Sequence, residues 1–385
     1  MGRRTSNLER VVAEGAAAAR EVGATTGERR SAALLEMADA LGRRADEILR
    51  DNHEDMAEAK RAGLDARALD VLLLDGDRIA AMADRMRRVA ALPDPIGRTE
   101  HARRLPNGMS VGHERIPLGL VAVVYEAAPH VTTDAAAMCI RSGNAVVLRG
   151  GAAARRTTRI VNEVLEGGLR EAGFPQATLA TIGPDAAELD RLLALDAYID
   201  LLLVRGDAEE VERIAGTAAM PVLRAPHGVA HVYVDAGADP DVAAGVVMSL
   251  ATQRPREQTL TEAVLIHEAV AAAFAPSARE ALAAHGVVAR MVRSLDEAAA
   301  VVESEGTGQL ACIIAAGSQE ADRFRRAVSA GCVLVNASPR IVEGEGLGVG
   351  AALGVAAPPG GRGGPVTLTA LTTTRLAGEG QGQVP

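Results

Sequence analysis

The sequence predicts an α/β chain whose parallel sheets are covered by helices on both faces. Two observations carry that expectation. From residue 118 onward, short apolar runs alternate with stretches at helical spacing, the pattern of βαβ units. A second run of the same kind begins near Asp239, and a chain of 385 residues with 48% hydrophobic content has material for more than one core. Right-handed crossovers between such strands give doubly wound domains.

Ahead of the alternation, residues 25–64 read as helical. Thr25 and Glu28 have the spacing of a capping box, and Leu34, Met37, Leu41 and Ile48 recur at helical intervals. A further helix carries Ile79, Met82, Met86 and Val89 and is stopped by Pro93 and Pro95. Residues 98–117 are different. Two polar runs flank Asn107-Gly108, a strong hairpin turn signal. Their charged faces predict a hairpin without a core of its own, either a projecting arm or a solvated surface element.

Strands are expected at 118–125, 145–148, 177–182, 199–204 and 231–234, with helices at 132–142, 156–172, 186–195 and 207–215 between them. The second run places helices at 240–252, 268–285, 295–304 and 319–329, and strands at 263–267, 287–292, 311–315 and 332–336. A Gly-rich loop, 344–364, precedes a Thr-rich strand at 366–375 that could pair with the hairpin, and the tail from Ala377 reads as disordered. No GxGxxG follows the first strand, so the ordinary dinucleotide fingerprint is absent, and Arg149-Gly150-Gly151 alone is a weak signal.

Composition removes several function classes. The net charge is -9, which gives no electrostatic footprint for nucleic acid. Aromatics are 2% with no Trp, too few for a base-stacking platform. Lys60 is the single lysine and lies in a charged helical stretch, away from any catalytic pattern. Cys139, Cys312 and Cys332 are too scattered for a disulfide framework or a metal site. No run reaches the roughly 18 apolar residues of a membrane span, and residues 1–10 have no apolar signal core. The expected location is cytoplasmic.

The motifs then become specific. The run 116–126 (IPLGLVAVVYE), the run 134–139 (DAAAMC) and the run 142–151 (SGNAVVLRGG) stand in order with 89–97 (VAALPDPIG), 104–108 (RLPNG), 252–255 (TQRP), 294–298 (SLDEA) and 335–340 (VNASPR). Together they resemble the γ-glutamyl phosphate reductases, also called glutamate-5-semialdehyde dehydrogenases, over almost the whole chain. The resemblance implies an aldehyde dehydrogenase-like fold: a cofactor domain from 1–97 and 116–236, a catalytic domain from 237–363, and an oligomerisation β-arm from 98–115 and 364–377, with 378–385 as tail. It implies NADPH as cofactor, held near Arg149, Gly150, Gly151, Arg205 and Gly206. It also implies L-glutamyl 5-phosphate as substrate, near Arg254, Asn336 and Arg340, and a cysteine thiolate that carries the acyl group as a thioester.

Against that pattern the chain departs at the chemistry. Where the family reads RPGVC, residues 254–258 read RPREQ, so Gln258 stands at the cysteine position. An amide is a very poor nucleophile. Arg224 stands at a glutamate position, and His130 at the asparagine position expected to hold the oxyanion. Asp207 follows Arg205-Gly206 at a helix start, where it suits the helix dipole but repels a pyrophosphate. The stretch between His267 and Ser294 is also shorter than the family pattern.

The expected function is therefore that of a reductase-like protein without the family's redox reaction, a pseudoenzyme that binds a glutamate-like ligand or a partner. The partner implied is a second copy through the β-arm, or a glutamate kinase or true reductase subunit. A second expectation is a non-redox enzyme acting on an acyl phosphate, with His130, His227 and His231 near Arg224 and Arg254. A third is the ordinary dehydrogenase of proline synthesis.

Overall fold

The computed structural model describes residues 7–252, 260–273, 282, 287–343, 351–357 and 363–384. The chain divides into two units. The first comprises Met1–Leu203, Thr217–Val222 and Thr367–Pro385; the second comprises Val204–Gly216 and Leu223–Val366.

The first unit opens with five helices: α1 (Asn7–Gly23), α2 (Gly27–Arg43), α3 (Ala45–Arg61), α4 (Ala66–Leu72) and α5 (Gly76–Ala91). Helix α1 was not expected. Its buried face is Leu8, Val12, Ala18, Ala19 and Val22, and the alanine run hides the periodicity that larger side chains would show. The cap of α2 is Thr26, whose side chain accepts from the Arg29 N–H, and not Thr25, whose hydroxyl donates back to the Val22 carbonyl and ends α1. The helical stretch at 25–64 is accordingly two helices that meet at Arg44.

The first sheet is built from β3 (Leu120–Val124), β4 (Ala145–Arg149), β5 (Leu179–Thr181), β6 (Leu201–Gly206) and β7 (Val222–Pro226), in the order β5-β4-β3-β6-β7; residues 204–216 and those of β7 from Leu223 are assigned to the second unit. Strand β3 is a continuous apolar run with every residue buried, as expected for a central strand covered on both faces. The intervening helices are α6 (Pro129–Arg141), α7 (Arg155–Glu171), α8 (Ala186–Leu192) and α9 (Ala208–Thr217). The division between units passes through β6 after Leu203.

The hairpin is formed by β1 (Thr99–Arg104) and β2 (Ser110–Pro117), turning at 105–108. Strand β15 (Thr372–Glu379) pairs antiparallel with β2 along its whole length, giving a three-stranded sheet in the order β1-β2-β15. The predicted pairing of the Thr-rich segment with the hairpin is therefore present. The disorder expected from Ala377 does not hold for Ala377, Gly378 and Glu379, which stay in register with Gly112, Val111 and Ser110.

One buried amide ties these pieces together. Asn144 accepts from the Leu118 and Gly119 N–H groups at 2.8 and 3.0 Å, and donates to the Ser142 hydroxyl and the Leu371 carbonyl at 2.9 and 2.8 Å. It thus joins the start of β3, the α6–β4 turn and the root of β15. Nearby, the buried Arg30 guanidinium reaches both Asp94 oxygens at 3.0 and 2.8 Å, and the Arg141 guanidinium lies 3.7 Å from the same carboxylate.

The second unit has a five-stranded sheet of β8 (Gly228–Val234), β9 (Leu260–His267), β10 (Val288–Val292), β11 (Leu310–Ile314) and β12 (Cys332–Val335), ordered β10-β9-β8-β11-β12 with parallel ladders throughout. Its helices are α10 (Pro240–Thr252), α11 (Leu295–Glu305) and α12 (Ser318–Ala327). One sheet face packs Val232, Val264 and Cys312, and the other packs Tyr233, Ile313 and Phe324. Tyr233 stacks on Phe324 and donates to Asp235 at 2.9 Å. Short strands β13 (Val355–Ala356) and β14 (Gly364–Pro365) pair antiparallel.

Two expectations change here. Strand β8 lies at the centre of the second sheet, so the chain passes to the second unit well before residue 236. Of the helix expected at 268–285, Glu268–Ala273 is a 3-10 turn, and the rest apart from Leu282 lies outside the described residues.

Replacing Asn144 by Ala should leave two half-buried N–H groups and a buried carbonyl without this partner. The expected loss is about 3 kcal/mol, read as a lower urea midpoint with an unchanged slope.

Candidate functional site: a cleft beside α7

The described part of the site is built at the carboxyl ends of β4 and β5, the edge of an open α/β sheet where ligands bind. Strand β4 ends in Arg149, followed by Gly150, Gly151, a 3-10 turn at Ala152–Ala154 and then α7. Both glycines are set by close approach. A Cβ on Gly151 would sit 2.7 Å from the Ala127 nitrogen, and one on Gly150 would sit 3.0 Å from the Thr158 hydroxyl. The weak Gly-Gly signal thus marks a tight backbone crossing.

The amino end of α7 is already occupied by a carboxylate of this chain. Buried Asp55 of α3 accepts from both the N–H and the hydroxyl of Thr157, each at 2.8 Å. Helix amino ends attract anions, and here Asp55 fills that position. The open surface of α7 lies along the helix flank.

A cleft of about 670 Å³ runs along that flank. One wall is α7 and the other is the loop after β5, Thr181 to Pro184, which Arg149 braces by donating to the Pro184 carbonyl at 2.7 Å. The rim is charged. Arg156 lies 2.8 Å from Glu58, Arg159 lies 2.8 Å from Asp51 and 2.7 Å from Glu163, and Arg155 is 3.8 Å from Glu58, the loosest of these pairs. On the floor, Asn162 is 5% exposed and its amide nitrogen donates to Glu166. The Asn162 carbonyl oxygen has no hydrogen-bond partner among the described residues, nor has the Thr181 hydroxyl. Burial pushes the Glu166 carboxyl above the ordinary carboxylate value, partly offset by the Asn162 bond and by Arg170.

The residues singled out in the sequence fall as follows. Gly150 lines this cleft, Arg149 braces its Pro184 wall, and Gly151 lies beside it. Arg205 and Gly206 end β6, and Asp207 caps α9 by accepting from the Glu209 N–H at 3.0 Å. His130 is buried in the first turn of α6. Arg224 on β7 sits 3.4 Å from Glu212 of α9, within the second unit. Asn336, at positive φ, spends its amide on the backbone of Ala315, accepting from the N–H and donating to the carbonyl at 2.9 and 3.0 Å. Arg340 donates to the Leu250 carbonyl at 2.9 Å. His227 lies in the β7–β8 turn, its N–H bonded to the Gly206 carbonyl, and His231 is buried, with its pKa lowered by burial. Gln258 and Arg254 lie outside the described residues.

The three cysteines are all core residues. Cys139 in α6 and Cys312 in β11 are fully buried, Cys332 in β12 is half-buried, and burial pushes every one of the thiols up. Among the described residues no group of three or more His, Cys, Asp or Glu side chains could hold a metal ion. No helix among them is long and apolar enough to cross a membrane.

Residues 3–291 match the aldehyde dehydrogenase family. The chain belongs to that family. It is 36% identical over 98% of its length to a γ-glutamyl phosphate reductase of Geotalea daltonii, of which the match covers 98%. It is 35% identical over 93% to that of Carboxydothermus hydrogenoformans, 94% of which is covered. The crystal structure of the γ-glutamyl phosphate reductase from Thermotoga maritima superposes with a TM-score of 0.90 at 27% identity, covering 99% of this chain and 100% of that one. The family uses NAD(P), and the cleft fits the nucleotide part of such a group: its volume suits a nucleotide, its rim carries arginines, and its floor holds a buried acceptor in need of a donor.

Asp55, Asn162, Thr181 and Glu166 were missed by sequence reasoning. Asn162 did carry a signal, a polar residue on the helix face shared by Val161, Val164 and Leu165.

Because folding raises the pKa of Glu166, its contribution to stability is fully present below the unfolded value and is lost as pH rises through the folded one. Unfolding followed by urea between pH 4 and pH 8 should show a flatter profile for Glu166→Gln than for the parent. Coincident profiles would mean the carboxyl is solvated in the fold.

Proposed function

We propose that this chain is a γ-glutamyl phosphate reductase-like protein that lacks the family's cysteine-borne reduction and keeps the fold to bind a glutamate-like ligand or a partner protein. The observation that carries the reading is the state of the thiols. The resemblance puts Gln258 at the nucleophile position, and the cysteines the chain does possess are packed in α6, β11 and β12 with their ionisation disfavoured. A thiolate is the species that attacks an acyl phosphate, and a buried thiol in apolar surroundings does not supply it.

On this reading the nucleotide cleft is retained. NADPH, when bound, supplies a hydride. The chain's own residues would hold its nucleotide part: Gly150 and Thr158 along one wall, Pro184 on the other, and Arg155 at the rim. The arm of β1, β2 and β15 is the proposed contact between copies of the chain. Its two edge strands are open among the described residues, and Leu376 on it is exposed. A glutamate kinase or a true reductase subunit remains the natural heterologous partner.

A second reading, an active glutamate-5-semialdehyde dehydrogenase, is favoured by the relatives. They bear the reductase name at 36% identity across nearly the whole chain.

The deciding assay is phosphate-dependent NADPH formation from glutamate semialdehyde by the purified chain, beside a Gln258→Cys variant. No turnover by the parent is expected; turnover there would establish the second reading. Activity in the variant alone would mean that the rest of the site is intact and that Gln258 silences it. In parallel, an aromatic disulfide reagent at pH 8 should leave all three thiols unmodified until urea unfolds the chain. A thiol that reacts within seconds in the native protein would identify a relocated nucleophile.

A further inference from the structure

The floor of the α7 cleft carries a hydrogen-bonding asymmetry that the fold itself does not explain. Asn162 sits about two turns into α7, with the buried Thr158 and Leu165 beside it on the helix. Its amide nitrogen is committed to Glu166 of the same helix. That bond sets the nitrogen end of the amide toward the Glu166 carboxyl. The carbonyl oxygen is consequently the end left without a partner, in a side chain 5% exposed, on a residue that lines the cleft. Buried acceptors in native proteins are nearly always satisfied. The group that satisfies this one must bring a donor.

The surroundings narrow the donor's class. Ile182, Gly183 and Pro184 give the opposite wall apolar and backbone surface suited to the face of a flat ring. The Thr181 hydroxyl, also without a partner, lies on the same wall and can donate to a ring nitrogen or accept from an amine. Arg155 at the rim is 57% exposed and only loosely paired with Glu58, so it is the cation most available to a phosphate. A flat apolar body, a polar edge with an N–H donor and an anionic tail describe an adenine nucleotide.

We propose that Asn162 is the base-reading residue of the cleft, its carbonyl oxygen accepting from the exocyclic amine of adenine, so that the chain selects adenine over hypoxanthine nucleotides. The inference rests on the reading of this cleft as the nucleotide site and adds to it the residue that sets specificity. Hypoxanthine places a carbonyl where adenine places the amine. Two acceptors then face each other, and the Asn162 oxygen stays unsatisfied in a dry position. A site built to bond a donor rejects the analogue that lacks it far more strongly than an apolar pocket rejects a change of shape.

The test is calorimetric and needs no turnover. The full chain is titrated with NADPH and with its hypoxanthine counterpart, which share the ribose hydroxyls, the phosphates and the nicotinamide. The hypoxanthine compound should bind about tenfold or more weakly, the loss of one bond to a buried acceptor. In Asn162→Ala, NADPH should weaken to the level of the analogue while the analogue itself changes little, so the ratio falls to about one. Equal affinities in the parent would overturn the assignment of Asn162 and leave the nucleotide reading standing, because the donor would then be a group common to both compounds. Binding of neither compound at millimolar concentration would overturn both. If the Asn162 variant does not fold, the comparison of the two dinucleotides on the parent chain still decides.

Discussion

The carboxylate of Asp55 sets the conditions for everything around α7. Buried in α3, it accepts from the amide and hydroxyl of Thr157 and so closes the amino end of the following α/β crossover helix. Open α/β sheets ordinarily leave that end for a phosphate. Here the position is filled from within. The helix is anchored to the α2–α3 layer, which Arg159 reinforces through Asp51. The cleft lies along the flank of the helix, where Asn162, Glu166 and the β5–α8 loop lie.

The fold was largely legible because its signals are local. Strand β3 reads as a five-residue apolar run, and it is the fully buried centre of its sheet. Asn107-Gly108 predicts a hairpin turn, and β1 and β2 flank it. Where the reading failed, the physical cause is visible. Helix α1 buries Gly15, Ala18 and Ala19 between Val12 and Val22, so no bulky side chain marks its middle turns. Thr25 and Thr26 both suit a cap, and the choice falls to the residue whose hydroxyl is free of the preceding helix. The extent of β15 depends on pairing with β2, more than 250 residues away in sequence. No window on 377–379 contains that information.

The site was legible only where chemistry departs from a pattern, not where packing creates it. Arg149 and Gly150 were found because they stand at the end of a strand; Gly150 lines the cleft and Arg149 braces its Pro184 wall. Asp55 was invisible, since a single acid in an acidic helix carries no mark of burial. Asn336 and Arg340 were expected near substrate, and the structure shows both bonded to backbone, Asn336 to Ala315 and Arg340 to Leu250. Asn336 holds a left-handed conformation at the end of β12, and its amide imitates a further strand residue against β11. Sequence motifs mark such positions without saying whether the side chain serves the ligand or the loop that carries it.

That distinction decides how much the cleft reveals about function. Gly150 and Gly151 are required by the close approach of Thr158 and of the Ala127 backbone, whatever the cleft holds. Asp55 is required by the Thr157 amide, and Arg149 by the Pro184 loop. Each of these would persist in a protein that had abandoned its cofactor, because each stabilises the first unit directly. Asn162 is different. Its amide nitrogen serves Glu166, but its carbonyl oxygen serves nothing among the described residues, and an unsatisfied buried acceptor costs about 1–3 kcal/mol. An aliphatic side chain at that position would remove the cost and pack with Val161 and Leu165. A fold kept only as scaffold would gain by that change. The unsatisfied oxygen therefore separates retention of architecture from retention of binding more sharply than the glycines or the cysteine position, because, like the Thr158 and Thr181 hydroxyls of the same cleft, it has no partner among the described residues.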